Sequence, residues 1–214
     1  MITVHAYILR RTKTTQHKIL LTLLTDKLGK ITVNSYERSN LKKGGALQAF
    51  ACYEMELSDR NGRYKLDSCS LVNQYYDVSM DPDRYVFVSY MTELLLKAIP
   101  EHAPAQMYDI YHEYLIIATT RTKGFGTLRI AYQVKILQEL GMWSSEDRFA
   151  SDVLISKCEG DIVNVLVYIT EHPSSALKSI TLRPDIESRI VSVMDAYIRM
   201  HLGVGDFNSD RYLA

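Results

Sequence analysis

Residues 1–45 read MITVHAYILRRTKTTQHKILLTLLTDKLGKITVNSYERSNLKKGG and hold nine Lys or Arg residues against two acidic ones, a net charge of +7. The whole chain of 214 residues is neutral. Apolar and polar residues alternate at positions 2–9 and 30–36, and this period of two predicts half-buried β-strands. The stretch is interpreted as the beginning of a small β-domain that presents a positive surface to a polyanion, ahead of a helical body.

Five strands are predicted before residue 80. Residues 18–25 are apolar on both faces, which fits a central strand or a buried helix, and the neighbouring strands favour the strand. Residues 47–57 alternate, Asn61-Gly62 is a strong hairpin signal, and residues 64–72 return as the fifth strand. Residues 10–15 and 38–45 are interpreted as polar turns or loops. Five is the strand count of an OB-fold, a barrel that commonly binds oligonucleotides, although SH3-like barrels have similar counts.

The periodicity changes at Met80. Asp81 and Pro82 are typical of a helix N-cap followed by proline at the first helical position. Helices are predicted from there to Pro100, at residues 105–119, 127–140 and 161–170, and from Pro184 to about residue 201, with a turn or two at 174–180. The predicted fold is α+β, with a five-stranded OB-fold DNA-binding domain at residues 1–79 and an all-α helical domain at 80–214.

The charge is divided between the two halves of the chain. Residues 1–80 carry twelve basic and seven acidic side chains, a net of +5, whereas residues 81–214 carry thirteen and eighteen, a net of −5. Such a division lets one half bind phosphates while the other stays acidic. The alternative is a solvated strand surface with chance asymmetry, and charge alone does not separate the two.

Several classes of protein are disfavoured. There is no apolar run of about eighteen residues, as a membrane span requires, and no signal peptide is recognised. Cys52, Cys69 and Cys158 are widely spaced, which indicates neither a zinc site nor a disulfide framework, so a reducing cytoplasm fits best and no cofactor is expected. P-loop, G-x-S-x-G and metalloprotease motifs are missing, so no enzymatic activity is predicted.

Several motifs together resemble a known family, the bacterial DNA repair and recombination mediator RecO. Residues 2–10 (ITVHAYILR) are similar to its opening strand, residues 23–30 (LLTDKLGK) to its step between strands, and residues 44–50 (GGALQAF) to its strand entry, with Ala49 where the family usually has proline. Residues 137–141 (LQELG) resemble the end of its central helix. His201-Leu202-Gly203, followed by Ser209 and Tyr212-Leu213, resembles its C-terminal ending.

The resemblance implies an N-terminal OB-fold and a C-terminal helical domain. It also implies binding of single- and double-stranded DNA, annealing of complementary strands and help in loading the RecA recombinase on DNA coated with single-stranded-DNA-binding protein (SSB). The implied partners are RecR and the C-terminal tail of SSB, and no catalytic residue is implied. Many family members carry two C-x-x-C pairs after the central helix. Residues 142–148 contain no cysteine here, so zinc is not expected, and the loop at residues 36–43 is short for the family.

The predicted DNA contacts are cations of the first 45 residues together with one tyrosine. Phosphates are neutralised by Lys and Arg, and exposed aromatic rings can stack on bases. The best candidates are Arg10, Arg11, Lys42 and Lys43, because turns let long cations reach out. The full set is Arg10, Arg11, Lys13, Lys18, Lys27, Lys30, Tyr36, Arg38, Lys42 and Lys43. Tyr53 is a further stacking candidate, with a role in the core as the alternative.

A receptor for the SSB tail, which is acidic and ends in an apolar residue, needs a cation beside an apolar pocket. Arg129 and Lys135 flank Ile130, Val134 and Leu137 on the predicted third helix and are nominated for this role. The alternative for both is an ordinary solvent-facing charge. The rival function for the whole chain is an OB-fold protein-interaction adaptor that does not bind DNA.

Overall fold

A computed structural model of the chain describes residues 1–14, 18–36, 47–143, 149 and 152–209. Its N-terminal part is a closed five-stranded barrel with the strand order β1-β2-β3-β5-β4, as the sequence predicts for an OB-fold. The strands are β1 (Ile2–Lys13), β2 (Lys18–Thr25), β3 (Gly29–Tyr36), β4 (Ala51–Arg60) and β5 (Arg63–Gln74). All neighbours are antiparallel except β3 and β5, which pair in parallel at Val33–Tyr64 and Asn34–Lys65.

Alternation along the strands builds the barrel core. On β2 and β3, Ile19, Leu21 and Val33 point inward and are buried, and on β4 Met55 and Leu57 do the same. The residues between them face outward because successive side chains of a strand point to opposite faces. Which side chains can reach a ligand on the outer surface is therefore fixed by their position in the strand.

Two strand boundaries differ from the sequence prediction by four residues. β1 continues to Lys13, so Arg10 and Arg11 lie in a strand and not in a turn. They pair with Thr22 and Leu21 of β2 after an irregularity between Ile8 and Arg10, so the hairpin of β1 and β2 is longer than the hydrophobic alternation suggests. β4 begins at Ala51, four residues after the predicted start.

Helices follow the barrel. They are α1 (Tyr76–Met80), α2 (Pro82–Ala98), α3 (Gln106–Thr120), α4 (Phe125–Glu139), a 3₁₀ turn (Ile155–Lys157), α5 (Gly160–Glu171), α6 (Ser174–Leu177) and α7 (Pro184–Leu202). The predicted cap of α2 is confirmed, since Asp81 Oδ1 accepts a hydrogen bond from the Arg84 N–H at 3.0 Å. Helix α1 was not predicted.

The chain forms two compact units. The first unit contains Met1–Met80 and Thr92–Asp109, and the second contains Asp81–Met91 and Ile110–Ala214. The unit that contains the barrel therefore also includes Thr92–Asp109, a segment that the sequence reasoning assigned to the second domain. One contact shows why: Gly29, at a φ of 63°, lies so close to Ala103 that an added Cβ would be 1.9 Å from its carbonyl oxygen.

Candidate nucleic-acid interface

A groove of about 640 Å³ lies on the outer surface of the barrel. Four of its lining residues are cations, two are tyrosines, and none is acidic. They are Lys18, Asn34, Tyr36, Arg60, Asn61, Arg63, Tyr64 and Lys65. Lys18 pairs with Tyr36 across β2 and β3, and Asn34 lies two residues away on the same outward face. OB-folds bind oligonucleotides on the face of these two strands, together with the loop between strands 4 and 5.

The hairpin between β4 and β5 carries two arginines into this groove. Asn61 and Gly62 have φ values of 55° and 77°, which a two-residue hairpin turn requires. The turn makes Arg60 and Arg63 a cross-strand pair. The Gly62 N–H donates to Asp59 Oδ1 at 2.8 Å, so that carboxylate stabilises the turn. The hairpin thus presents two guanidinium groups side by side.

Strand pairing ties the hairpin to the rest of the groove. Asn34 donates a hydrogen bond from its side-chain nitrogen to the Tyr64 carbonyl at 3.4 Å and is the register partner of Lys65. Lys65 also lies 3.7 Å from Asp67, an ion pair whose side chains are 50% and 26% exposed. Exposed pairs of this kind contribute about 0–1 kcal/mol, so a phosphate can compete for the ammonium.

The two tyrosines give the groove aromatic surface beside its cations. Tyr36 is 46% exposed at the end of β3. Tyr64 is half-buried because part of its ring packs on the barrel core. Base stacking on an accessible ring is worth about 1–3 kcal/mol and tolerates any sequence. Cations for the backbone and rings for the bases are the combination that single-stranded nucleic acid requires.

The structure divides the predicted DNA-binding residues into groups. Lys18 and Tyr36 line the groove. Arg10, Arg11 and Lys13 are exposed along β1 but do not line it. Lys27 follows the other end of β2, roughly 23 Å from Lys18 along the strand, and donates to the Thr3 carbonyl at 2.6 Å. Arg38, Lys42 and Lys43 lie outside the described residues.

Lys30 does not belong to an exposed cationic surface. It is 7% exposed, and its ammonium donates to the carbonyls of Leu95 (3.1 Å), Leu96 (2.9 Å) and Ile99 at the end of α2. Burial lowers the pKa of Lys30, and the nearby Glu101 opposes that shift. A helix C-terminus is the end that favours a positive charge. Lys30 is therefore not part of the candidate interface.

Tyr53 is also buried, so its ring is not accessible for stacking on a base. It is 3% exposed within the barrel core, and its hydroxyl accepts a hydrogen bond from the Gln48 N–H at 2.7 Å. Tyr53 therefore packs in the barrel core, the alternative that the sequence left open.

Sequence reasoning missed Arg60, Arg63 and Lys65. It recognised Asn61-Gly62 as a hairpin but searched for cations within residues 1–45, where the charge was densest. The sequence did contain a local indication of Arg60 and Arg63. Basic residues on both sides of a two-residue turn lie opposite each other at the tip of the hairpin.

The second unit has an apolar pocket of about 420 Å³, which is relevant to Arg129, one of the two cations predicted to bind the SSB tail. Its walls come from the N-terminal parts of α2, α4 and α7, including Phe87, Phe125 and Val191. Arg129 also lines it, but this side chain is 4% exposed and is not an ordinary solvent-facing charge. Both Asp195 oxygens accept from Arg129 Nη2 at 2.8 Å, and the guanidinium lies 3.8 Å from the centre of the Tyr90 ring.

Lys135 lies elsewhere on α4. It is half-buried and is not among the residues that line the pocket, and burial lowers its pKa while Glu113 acts against that shift. The apolar residues that the sequence placed beside these cations, Ile130, Val134 and Leu137, are fully buried in the core. The apolar wall beside Arg129 therefore comes from other helices, which a single-helix pattern cannot reveal.

The described ranges also bear on metal binding and on membrane insertion. Within them, no group of three or more His, Cys, Asp or Glu side chains is arranged to hold a metal ion. Among the same residues, no helix combines the length and the hydropathy that crossing a membrane requires.

The chain is similar to a known protein family and to a curated protein. Residues 1–75 match the family described as "Recombination protein O N terminal". Over 144 residues the chain is 24% identical to a protein of Desulfosudis oleivorans named "DNA repair protein RecO". That match covers 64% of this chain and 55% of the relative, so the chain spans about half the length of the curated protein it resembles.

Proposed function

We propose that this chain, whose residues 1–75 match the RecO N-terminal family, is a RecO-family protein and a non-catalytic DNA-binding protein of recombinational repair. Membership implies a role in DNA repair and recombination. The finer proposal is that the protein binds single- and double-stranded DNA, anneals complementary strands and assists RecA loading on SSB-coated DNA together with RecR.

The observation that carries this proposal is the barrel groove. Lys18, Arg60, Arg63 and Lys65 line it from β2, β4 and β5, together with Tyr36 and Tyr64. Neutralising phosphates with these cations releases counterions, so binding should weaken as salt rises. The groove makes its contacts through charge and stacking, and neither selects a base sequence.

Annealing follows from the same chemistry. Two complementary strands repel each other through their phosphates. A basic surface that binds both backbones lowers this repulsion, and base edges that are not occupied by the protein can then pair. Arg10, Arg11 and Lys13, which are exposed on β1 outside the groove, are proposed to help bind the second strand. No bond is made or broken in this mechanism.

The test is a fluorescence-anisotropy titration of a single-stranded oligonucleotide at several salt concentrations. For the double variant Arg60→Ala/Arg63→Ala we expect weaker binding and a plot of log K against log salt that is shallower by about 1.4, since each lost phosphate contact contributes about 0.7. Tyr36→Leu should weaken binding by about 1–3 kcal/mol and leave that slope unchanged, because stacking releases no counterions.

The matched control is Arg183→Ala/Arg189→Ala. Both arginines are exposed on the second unit, with side-chain exposures of 75% and 42%. Equal losses in the two double variants would show that only net charge matters and would refute the groove as the site. If the wild-type chain does not retain oligonucleotide at low salt, the adaptor without DNA binding becomes the better account.

The apolar pocket of the second unit is the proposed receptor for the SSB tail. An apolar terminal side chain can enter between Phe87, Phe125 and Val191, with Arg129 beside it. Val191→Glu should abolish binding of a tail peptide in calorimetry. Val193→Glu is the control, because Val193 lies on the same helix but does not line the pocket. Loss in both variants, or in neither, would refute this location.

A further inference from the structure

The tip of the β4–β5 hairpin places a side-chain amide directly before a glycine. Asn61 and Gly62 are both exposed, and a Cβ added to Gly62 would meet no atom within 4 Å. Because glycine has no side chain, its backbone nitrogen is the least hindered nucleophile that can follow an asparagine. Of the six asparagines in the sequence, only Asn61 precedes a glycine. The covalent requirement for deamidation through the backbone is therefore met best at this turn.

In the folded turn the Gly62 nitrogen is held by a hydrogen bond. Its N–H donates to Asp59 Oδ1 at 2.8 Å, and both turn residues have positive φ values. The nitrogen reaches the side-chain carbonyl carbon of Asn61 only after the turn leaves this conformation. The register pair of Arg60 and Arg63 closes the tip, and the exposed end of a hairpin opens at low free energy. The rate of attack therefore depends on how often the tip opens.

We propose that Asn61 is a site of spontaneous deamidation, that Asp59 slows the reaction by holding the turn, and that the product binds nucleic acid more weakly. The Gly62 nitrogen gives its proton to water and forms a bond to Asn61 Cγ. The bond between Cγ and Nδ2 breaks, and the amide nitrogen leaves as ammonia, which leaves a five-membered succinimide ring. Water then opens the ring to aspartate or isoaspartate. Water is the only co-reactant.

The product changes the charge of the barrel groove. Asn61 is one of its lining residues, and the lining holds four cations and no acid. Either product adds a carboxylate beside Arg60 and Arg63. Isoaspartate also adds a carbon atom to the backbone of a two-residue turn, which shifts the two arginines out of their opposed positions. This consequence rests on the proposed binding of DNA in the groove, whereas the reaction itself does not.

The first measurement follows the reaction. The full chain is incubated in warm, mildly alkaline buffer, and peptide mass spectrometry records how fast each asparagine is converted to the acid. Asn73 is the matched control, because it is exposed on β5 but precedes Gln74. We expect Asn61 to be converted faster than Asn73, and about fivefold faster still in Asp59→Ala, the factor that one ordinary hydrogen bond contributes. Equal rates at the two asparagines would overturn the modification site, and an unchanged or slower rate in Asp59→Ala would overturn the role of Asp59.

The second measurement tests the consequence for binding. Asn61→Asp carries the new carboxylate from the start and should bind a single-stranded oligonucleotide about fivefold more weakly than the wild type at low salt, with a smaller difference at high salt. Asn73→Asp adds the same charge outside the groove lining and should bind as the wild type does. Equal binding by Asn61→Asp and the wild type would overturn the consequence. If the wild type binds no oligonucleotide, the proposed function fails, and the mass measurement still decides the modification site.

Discussion

Replacing Lys30 by Met distinguishes a DNA contact, the role that the sequence suggested, from the stabilising contact with the end of α2 that the structure shows. Methionine keeps an unbranched apolar side chain in place and removes the ammonium. Of the three carbonyls that this ammonium contacts, that of Leu95 keeps a second donor, the Ile99 N–H at 3.3 Å. The carbonyls of Leu96 and Ile99 lose the donor provided by Lys30. Each buried polar group left unsatisfied costs about 1–3 kcal/mol, so with two such carbonyls we expect a loss of stability of about 2–6 kcal/mol.

The assay is urea unfolding at neutral pH, combined with the salt-dependent DNA titration. Lys27→Met is the matched control, since Lys27 is exposed and makes one hydrogen bond, to Thr3. It should change stability by less than about 0.5 kcal/mol, as surface substitutions usually do. For Lys30→Met the slope of log K against log salt should equal that of the wild type. A slope shallower by about 0.7, with stability unchanged, would mean that Lys30 contacts a phosphate and would refute this reasoning.

Three further predictions concern the stability of the fold. Gly29→Ala should unfold the barrel or destabilise it by more than about 3 kcal/mol, because the new Cβ would clash with Ala103. Gly62→Ala is the control, since a Cβ there meets open space, and it should cost only the strain of its positive φ, about 1–2 kcal/mol. Thermal melting distinguishes the two variants. Asp81→Ala should cost about 1 kcal/mol in urea unfolding through loss of the α2 cap. Burial raises the pKa of the Cys69 thiol from 9.0 to about 12. Its contribution to the free energy of unfolding is therefore present below pH 9 and is lost as pH rises towards 12. In Cys69→Ala the decline of stability between pH 9 and 12 should be shallower by about 1.4 kcal/mol per pH unit, as measured by urea unfolding at several alkaline pH values.

Local patterns predicted the fold well because its elements follow local rules. The alternation on β3, the Asn61-Gly62 turn and the Asp81-Pro82 cap each depend on a few adjacent residues, and each is present where the sequence placed it. The extension of β1 to Lys13 was missed because its final residues are exposed and polar. Strand pairing with β2, and not burial, holds them. Such pairing depends on a partner strand, so hydrophobic periodicity does not reveal it.

The candidate site was predicted less well because side-chain accessibility is a tertiary property. Within residues 1–45, Lys18 and Lys30 look equivalent, since each lies at or near the start of a strand. In the barrel, Lys18 faces the groove, whereas Lys30 faces the end of α2, a helix more than fifty residues further along the chain. The same holds for Arg129, whose carboxylate partner Asp195 comes from α7. No spacing rule within one element identifies such partners.

The positive charge of the N-terminal stretch is therefore divided among different tasks. One part stabilises the barrel: the Lys30 ammonium holds the end of α2, and Lys27 donates to β1. Another part lines the outer groove, where Lys18 joins two arginines that lie beyond the basic stretch, on the tip of the β4–β5 hairpin. If DNA affinity followed net charge alone, Lys27→Met and Arg60→Ala would weaken binding equally. If it follows position, as the groove indicates, only Arg60→Ala changes the salt slope.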